Sequence, residues 1–323
     1  MRPVREPLKV FLTIDTELWP INPEWKQTGL EEETRFYIYG ETHSGSFGLP
    51  YQLDVFSQHR LKAVFFVESL FSTVIAAERL REIVVLIENN RQETQLHIHT
   101  EWLHLVQDAR VSYMKDFSES AQFEIIQSAG NMLRQCGSGT IRAFRAGNYG
   151  ADNATLRALH TAGIPFDTSY NPGFLSSQCG IEANALLFQP VCLDDTWEIP
   201  ISSFFDLGTH IRPAQLCACS DAEMEHALNS AWKAGWYSFV IVSHSFELLQ
   251  KPSGRKLARP NKLVISRFEK LCAFLDLNRD RFVTAGFEDL SVASMSEVNA
   301  LPLRSHPLRT AVRMVQQKIG RIL

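Results

Sequence analysis

The chain has 323 residues, of which 45% are hydrophobic and 21% are charged, proportions that suit a globular protein with a substantial core. Its formal net charge of -4 and isoelectric point near 6.2 argue against nucleic acid as a main partner. The six cysteines show neither disulfide-framework nor zinc-finger spacing. No apolar stretch approaches the roughly 18 residues of a membrane span. No export signal is visible, so we expect a cytoplasmic location with reduced thiols.

The first predicted strand runs into two carboxylates. The apolar residues Val10-Phe11-Leu12 lead to Asp15 and Glu17, and alternation along a strand turns these two side chains to the same side. Such a pair either shares a cation or disfavours ionisation of one member, although many pairs at strand ends are simply solvated. The pair therefore indicates an active site only in combination with the motifs that follow.

The rest of the chain alternates between strand and helix patterns. After a polar and aromatic insertion over about residues 19–50, strands are predicted at 62–67, 94–97, 141–144, 164–166, 197–201, 237–242 and 282–284. Helices are predicted at 51–58, 69–88, 118–136, 155–162, 221–234 and 261–275. The alternation predicts an α/β fold, and the strand count favours an incomplete (β/α)7-type barrel over an open sheet. We expect one catalytic domain over 1–295 and a tail over 296–323.

A histidine cluster lies at the end of the predicted strand 94–97. His97 ends the strand, His99 lies two residues further on, and Glu101 lies one helical turn from His97. Two or three nitrogen and oxygen donors this close together suit Zn²⁺ or a similar divalent ion. A single histidine is more often a core residue, but His97, His99 and His104 within eight residues are uncommon. The cluster therefore predicts metal binding by some of these residues.

Two further motifs lie where predicted strands end. Arg145 leads into Gly147-Asn148-Tyr149-Gly150, whose glycines let the backbone turn sharply and approach a ligand. An ordinary turn with an exposed arginine is the simpler interpretation of this loop taken alone. His244 follows the apolar run Val240-Ile241-Val242 and should emerge at the strand end that carries catalysis in barrels. A histidine that only caps the sheet is an equally good interpretation of that motif.

The order of these motifs resembles the polysaccharide deacetylase superfamily, the metal-dependent N-deacetylases of chitin, chitooligosaccharides and peptidoglycan (carbohydrate esterase family 4). The resemblance covers about residues 8–290 and rests on Thr13-Ile14-Asp15-Thr16-Glu17, Ala63-Val64-Phe65-Phe66, His97 to Glu101, Phe144-Arg145-Ala146-Gly147, Pro165 to Ser169 and His244. Two positions depart from the family pattern. Thr16 replaces the usual metal-binding aspartate, with Glu17 one residue later, and Glu101 replaces the second histidine.

The resemblance implies a metal-dependent enzyme that hydrolyses an N-acetyl group on a sugar. The cation, most simply Zn²⁺, would be held by Glu17 and His97 together with either His99 or Glu101, and would polarise the acetyl carbonyl. The absence of a visible export signal points to a glycan precursor for surface polysaccharide, such as a nucleotide- or lipid-linked sugar, as the substrate.

The resemblance also implies the catalytic roles. Asp15 would take a proton from water, and Arg145 would keep Asp15 ionised and oriented. His244 would protonate the departing amine, and Asp167 is expected to orient His244. The expected substrate contacts are aromatic and polar residues around the cleft: Trp19, Trp102, Asn148, Tyr149 and Glu198.

The tail is basic and amphipathic. Leu308, Val312, Val315, Ile319 and Ile322 repeat at four-and-three spacing after Pro307, and residues 303–323 contain no acid. Such a helix most often docks on its own domain or pairs with a copy, which makes a homodimer an open prediction. Peripheral contact with an anionic membrane is the alternative.

Two other functions stay open at this stage. The same aspartate, histidine and metal would also suit an amidohydrolase that acts on a non-sugar amide. A glycan-binding relative without a metal is the second alternative, since the first and second motifs are altered. The retention of both Asp15 and His244 argues against it, because a binding protein needs neither an acid nor a base.

Overall fold

The computed structural model describes residues 5–18, 29–74, 76–104, 113–175, 177–250, 258–298 and 300–322. Trp19, a predicted substrate contact, lies outside the described residues. The strands in chain order are β1 Leu8–Thr16, β2 Glu41–Thr42, β3 Gly45–Ser46, β4 Ala63–Glu68, β5 Glu93–Ile98, β6 Ala143–Ala146, β7 Phe166–Asp167, β8 Val191–Leu193, β9 Thr196–Glu198, β10 Ser203–Phe205, β11 Ile211–Pro213, β12 Ser238–His244, β13 Leu249–Gln250, β14 Arg259–Pro260, β15 Phe282–Thr284 and β16 Leu303–Arg304.

The main sheet has the strand order β12-β1-β4-β5-β6-β7-β9-β8, and β15 pairs with the start of β1. All of these strands are parallel to their neighbours except β8, which is antiparallel to β9. The segment after β9 runs along the other edge of β12, where Leu216 N–H donates to the carbonyl of Val242 at 3.0 Å. The sheet therefore curls into an incomplete (β/α) barrel, which confirms the predicted fold class.

The helices are α1 Leu30–Tyr37, α2 Leu49–Gln58, α3 Ala77–Asn89, α4 Glu101–His104, α5 Glu119–Gln135, α6 Asn153–Thr161, α7 Asp221–Ala234, α8 Lys262–Leu277 and α9 Pro307–Ile322. The predicted helix over 69–88 was wrong at its start. The carboxylate of Glu68 accepts the N–H groups of Leu70 and Phe71 at 2.8 and 2.9 Å and holds a short 3-10 turn there, so α3 begins at Ala77. Among the described residues, no helix has the length and apolarity needed to cross a membrane.

Alternation along the strands divides the core into two layers. Phe11, Phe66 and Val240 belong to an apolar cluster inside the barrel, together with Phe166 and Phe287. Their neighbours on the other sheet face, such as Val10, Phe65 and Ile241, pack in a second cluster with residues of the surrounding helices. Further along these two strands the interior positions change from apolar to polar, at Thr13 and Asp15 on β1 and at His244 on β12. This change places a set of polar side chains at the carboxyl-terminal mouth of the barrel.

Candidate active site and metal site

A buried ion pair lies at the mouth of the barrel. Nη1 of Arg145 donates to Oδ1 of Asp15 at 2.5 Å, and Nη2 of Arg145 donates to the hydroxyl of Thr13 at 3.0 Å. The guanidinium also lies 4.3 Å from the ring centroid of Phe66, and Arg145 has no exposed surface. Arg145 therefore holds one oxygen of Asp15, a pairing that the family resemblance implied, while Oδ2 of Asp15 points toward His244.

Glu17, His97 and His99 form a buried cluster next to this ion pair. Oε2 of Glu17 lies 3.0 Å from Nε2 of His97 and 2.5 Å from Nε2 of His99. Each residue offers a ligand atom, and these atoms lie within 4.8 Å of one another. All three side chains are at most 2% exposed. The structure therefore brings together three of the four predicted metal ligands as a triad that could bind a metal ion.

The Nδ1 atoms of His97 and His99, which point away from Glu17, both have hydrogen-bond partners. Nδ1 of His97 donates to the carbonyl of Arg145 at 2.8 Å, because a carbonyl oxygen only accepts. Nδ1 of His99 lies 3.3 Å from Oε2 of Glu101, whose other oxygen accepts Nδ2 of Asn148 at 2.9 Å. Glu101 thus lies behind His99 and not among the ligand atoms that face Glu17. This arrangement matches the way carboxylates and carbonyls orient metal-binding histidines.

The residues present fit a divalent cation. A donor set of one carboxylate and two imidazoles is typical of Zn²⁺ and similar ions. Oε1 of Glu17 is buried and, among the described residues, has no hydrogen-bond partner, which is the situation of an oxygen that awaits a ligand. Burial alone would raise the pKa of Glu17, but the nearby charge of His99 and the hydrogen bonds from His97 and His99 outweigh burial and hold it well below its usual range. The carboxylate is therefore in its metal-binding form.

Gly147 allows the loop after β6 to pass close to the triad. A Cβ at this position would lie 2.7 Å from the ring of His99, nearer than any real contact of that kind. The next residue, Asn148, has a φ of 53° and reaches back to Glu101. The sequence assigned this glycine to the approach of a ligand, whereas the structure shows that the backbone approaches a histidine of the site.

His244 also lies at the mouth of the barrel, near Asp15 and Glu17. Its Nε2 lies 4.0 Å from Oδ2 of Asp15 and 3.9 Å from Oε1 of Glu17, and its side chain is 20% exposed. Burial lowers the pKa of His244, but the hydrogen bond and charge of Glu247, followed by the charges of Glu17 and Asp15, outweigh burial and raise that pKa to about 9. The imidazole is therefore cationic at neutral pH and able to donate a proton.

Glu247 contacts His244, although the sequence analysis assigned it no role. Its Oε1 lies 3.6 Å from Nδ1 of His244, and its two oxygens accept Nε2 of Gln215 at 2.7 Å and the hydroxyl of Ser243 at 2.8 Å. These donors hold the carboxylate against the histidine. The spacing His244-Ser245-Phe246-Glu247 was the available signal, since a turn after a strand can bring residues three apart together.

Asp167 does not orient His244, so that expectation was wrong. Phe166 and Trp197 belong to the cluster inside the barrel, and alternation turns their neighbours Asp167 and Glu198 away from it. Oδ1 of Asp167 accepts the hydroxyl of Ser169 at 2.7 Å, and Glu198 accepts the N–H of Tyr170 at 3.1 Å. Burial raises the pKa of both carboxyls, and their mutual interaction raises that of Glu198 further. Glu198 has no exposed surface and is not placed to touch a substrate.

The cleft over the cluster has a volume of about 210 Å³ and opens to solvent. Two of the predicted substrate contacts, Asn148 and Tyr149, line it, together with the previously unassigned Phe174, Gln178 and Gln215. Tyr149 and Phe174 lie with ring centroids 5.3 Å apart. The expectation that Trp102 contacts the substrate was wrong. Trp102 is 1% exposed and packs against Phe71 in the cluster outside the barrel, where it cannot stack on a sugar.

Comparison with protein-family models and with curated proteins finds no match to this chain. Solved structures do match. One is a protein from Mycobacterium smegmatis provisionally assigned as a polysaccharide deacetylase, with 16% identity and a TM-score of 0.56 over 88% of this chain and 89% of that chain. Another is a family 4 carbohydrate esterase from Streptomyces lividans in complex with acetate, with 11% identity and a TM-score of 0.46 over 88% and 96% of the two chains.

The likeness to the mycobacterial protein extends over nearly the whole length of both chains, although the identity is low. It concerns the arrangement of strands and helices and therefore establishes the fold, while the activity has to be argued from the site. The curled parallel sheet of this chain therefore has the same fold as the mycobacterial protein.

Proposed function

We propose that the protein is a metal-dependent hydrolase that removes an N-acetyl group from a sugar or glycan precursor. The observation that carries the proposal is the meeting of a carboxylate base, a cationic histidine and a buried donor triad in one cleft. Asp15 is the carboxylate base, His244 is the cationic histidine, and Glu17 belongs to the donor triad. The fold supports the same reaction class, because the mycobacterial protein that shares it is assigned as a polysaccharide deacetylase.

Glu17, His97 and His99 would hold the cation, and their donor types favour Zn²⁺. When bound there, a divalent cation supplies a Lewis acid for the acetyl oxygen and acidifies water. Glu101 has a different role in this proposal. It holds Nδ1 of His99 and thereby directs Nε2 of the same ring toward Glu17.

The protein's own groups account for the proton movements. Arg145 holds Oδ1 of Asp15, so Oδ2 is the oxygen that accepts a proton from the attacking water. The water oxygen forms a bond with the acetyl carbon, and the carbon–nitrogen bond of the amide then breaks. His244 donates its Nε2 proton to the departing nitrogen, which leaves acetate and a free amino sugar. Glu247 keeps His244 protonated for this step.

The cleft limits the size of the substrate part that it encloses. Its volume is about 210 Å³, and it is open to solvent. This space suits an acetamido group with part of one sugar ring, and the remainder of a longer glycan would lie outside. Tyr149 and Phe174 offer aromatic faces to the ring, and the amides of Asn148, Gln178 and Gln215 offer hydrogen bonds to its hydroxyls. The aromatic wall favours a sugar over a small cyclic amide.

Metal analysis of the purified chain tests this proposal first. We expect about one equivalent of a divalent metal per chain, as in a single mononuclear site, and its loss in Glu17→Ala and His97→Ala. His160→Ala is the matched control, because His160 is exposed on α6 and far from the triad in the chain. The same samples are then assayed for acetate release from N-acetylated chitooligosaccharides. A wild type that takes up neither zinc nor cobalt rejects the mechanism and leaves the glycan-binding alternative.

A further inference from the structure

Helix α9 docks on the domain by its polar side. Thr310 is 1% exposed and donates its hydroxyl to Oδ1 of Asp206 at 2.8 Å. Arg313 is 4% exposed and forms ion pairs with Oδ2 of Asp206 at 2.8 Å and with Oε1 of Glu223 at 3.0 Å. Arg309 donates to the carbonyl of Ala222 at 2.7 Å. The inner side of the helix is therefore anchored by hydrogen bonds and a buried ion-pair network.

The apolar side of α9 faces outward. Leu308, Val312, Met314 and Val315 are 72%, 53%, 51% and 58% exposed. Surface helices normally bury their apolar stripe and expose their polar one, so this helix is turned the opposite way. The four-and-three spacing continues through Ile319 and Ile322 in the sequence. The result is a continuous exposed stripe, which we call the α9 apolar face and define by Leu308, Val312, Met314 and Val315.

The inverted docking argues that the α9 apolar face serves a binding purpose. Burying an arginine between two carboxylates carries a large desolvation cost and stabilises a fold less than apolar packing would. A contiguous exposed apolar surface is a recognised mark of an interaction site. The ion pairs of Arg313 thus fix an orientation in which the apolar side chains remain available to a partner.

The charges around the face indicate the partner. Residues 303–323 contain Arg304, Arg309, Arg313, Lys318 and Arg321 and no acidic residue. Arg313 is neutralised by Asp206 and Glu223, and Arg304 is exposed next to the helix. On the helical wheel, Arg309 lies at one edge of the apolar stripe. A second copy of the chain would bring these like charges together, whereas a negatively charged surface would complement them.

We propose that the α9 apolar face docks on an anionic lipid bilayer. The helix lies in the plane of the interface, with Leu308, Val312 and Val315 inserted among the acyl chains and the flanking basic residues near the lipid headgroups. The inference is independent of the proposed catalytic reaction.

Vesicle co-sedimentation of the full chain tests the proposal. One set of vesicles contains phosphatidylcholine alone, and the other contains equal parts of phosphatidylcholine and phosphatidylglycerol. We expect binding to the anionic vesicles that weakens with added salt. Val312→Asp with Val315→Asp should weaken that binding roughly tenfold or more, because two apolar contacts are replaced by charges. Leu277→Asp is the matched control, since Leu277 is 83% exposed at the end of α8, outside the face.

The outcomes separate the possible occupants. Both variants should retain the wild-type circular dichroism and melting temperature, because the substituted side chains are exposed. Failure of the wild type to bind anionic vesicles overturns the proposal, as does equal binding of wild type and the double variant. Sedimentation velocity of the chain without lipid tests whether the face binds a second copy instead. A wild-type dimer that dissociates in the double variant would assign the face to a second copy of the chain instead.

Discussion

Asp15 and His244 are register partners on the neighbouring parallel strands β1 and β12, and Nε2 of His244 lies 4.0 Å from Oδ2 of Asp15. The separation of the proposed base and acid is therefore set by the sheet hydrogen bonds that align the two strands. Ser245 N–H also donates to the carbonyl of Asp15 at 3.0 Å, which continues the pairing past the strand end. Strands hold side chains more firmly than loops, so this pair is preorganised for proton transfer.

Replacing the proposed base should abolish most of the activity and leave the metal in place. We expect Asp15→Asn to lower kcat roughly 10²–10⁴-fold, because the amide cannot accept the proton of the attacking water. The change also leaves the buried Arg145 without a charged partner, at a cost of up to about 3–5 kcal/mol in unfolding free energy. Acetate release is therefore measured below the lower melting temperature, with the exposed Asp54→Asn as control. Unchanged kcat would remove Asp15 from the mechanism.

Glu101 should tune metal affinity without being a ligand. We expect Glu101→Gln to weaken metal binding by about 10–100-fold while one equivalent still binds, because His99 loses its charged partner at Nδ1 but keeps Nε2 toward Glu17. Affinity is measured by competition with a chromophoric chelator. Glu119→Gln serves as a control, because Glu119 is exposed and pairs with Arg157. Loss of the metal itself would show that Glu101 is a direct ligand.

Glu247 should set the titration of His244. The pKa of His244 is raised from 6.5 to about 9, against burial and through Glu247 first among its partners. Because the folded-state pKa is raised, this ion pair stabilises the fold fully below about pH 6.5 and is lost as pH rises through about 9. In Glu247→Gln we expect the imidazole to titrate at a lower pH and the high-pH limit of activity to fall with it.

NMR of the His244 imidazole in metal-free protein measures this change directly. Glu288→Gln is a suitable control, because it also removes one carboxylate charge. Glu288 is exposed and lies beyond the end of β15 at Thr284. A midpoint that is the same in wild type and Glu247→Gln would mean that Glu247 does not act on the histidine.

Gly147 should be sensitive to the addition of a single methyl group. We expect Gly147→Ala to reduce the free energy of unfolding by about 1–3 kcal/mol and to weaken metal binding, because the added Cβ would lie 2.7 Å from the buried ring of His99. Gly130→Ala is the matched comparison. Its Cβ would meet Arg134 at an ordinary 3.5 Å within α5, so we expect a gain of about 0.5–1 kcal/mol. Urea unfolding measures both, and equal changes would contradict the steric argument.

Several features of the site follow from local sequence. A run of apolar residues that ends in polar or charged ones predicts a buried strand whose end opens into a cleft, and Asp15 and His244 stand in that position. The alternation of side chains then predicts which of them share a side of the sheet. The contact between Arg145 and Asp15 was expected from the resemblance to the polysaccharide deacetylases, whereas the loop taken alone indicated an exposed arginine.

Other assignments failed because they depend on how short strands are placed. The resemblance assigned Asp167 to His244, whereas Asp167 faces Glu198; strand β7 contains two residues, too few for an alternation pattern that would have shown which side Asp167 faces. Trp102 follows the histidine cluster in sequence, but α4 turns it into the outer core. Proximity along the chain was a poor guide to proximity in the cleft.

The sequence by itself determined the alternating strands and helices, the parallel barrel and the residues at the strand ends, because hydrophobic periodicity is a local property of the chain. Tertiary structure decided which donors meet. Only the order of β1, β4 and β5 in the sheet brings Glu17 to His97 and His99. Glu101 and Glu247 lie close in sequence to His99 and His244, but the turns after β5 and β12 decide which of their atoms meet. Glu17 and His99 are 82 residues apart in the chain, and no local sequence pattern encodes the distance between two side chains across that separation.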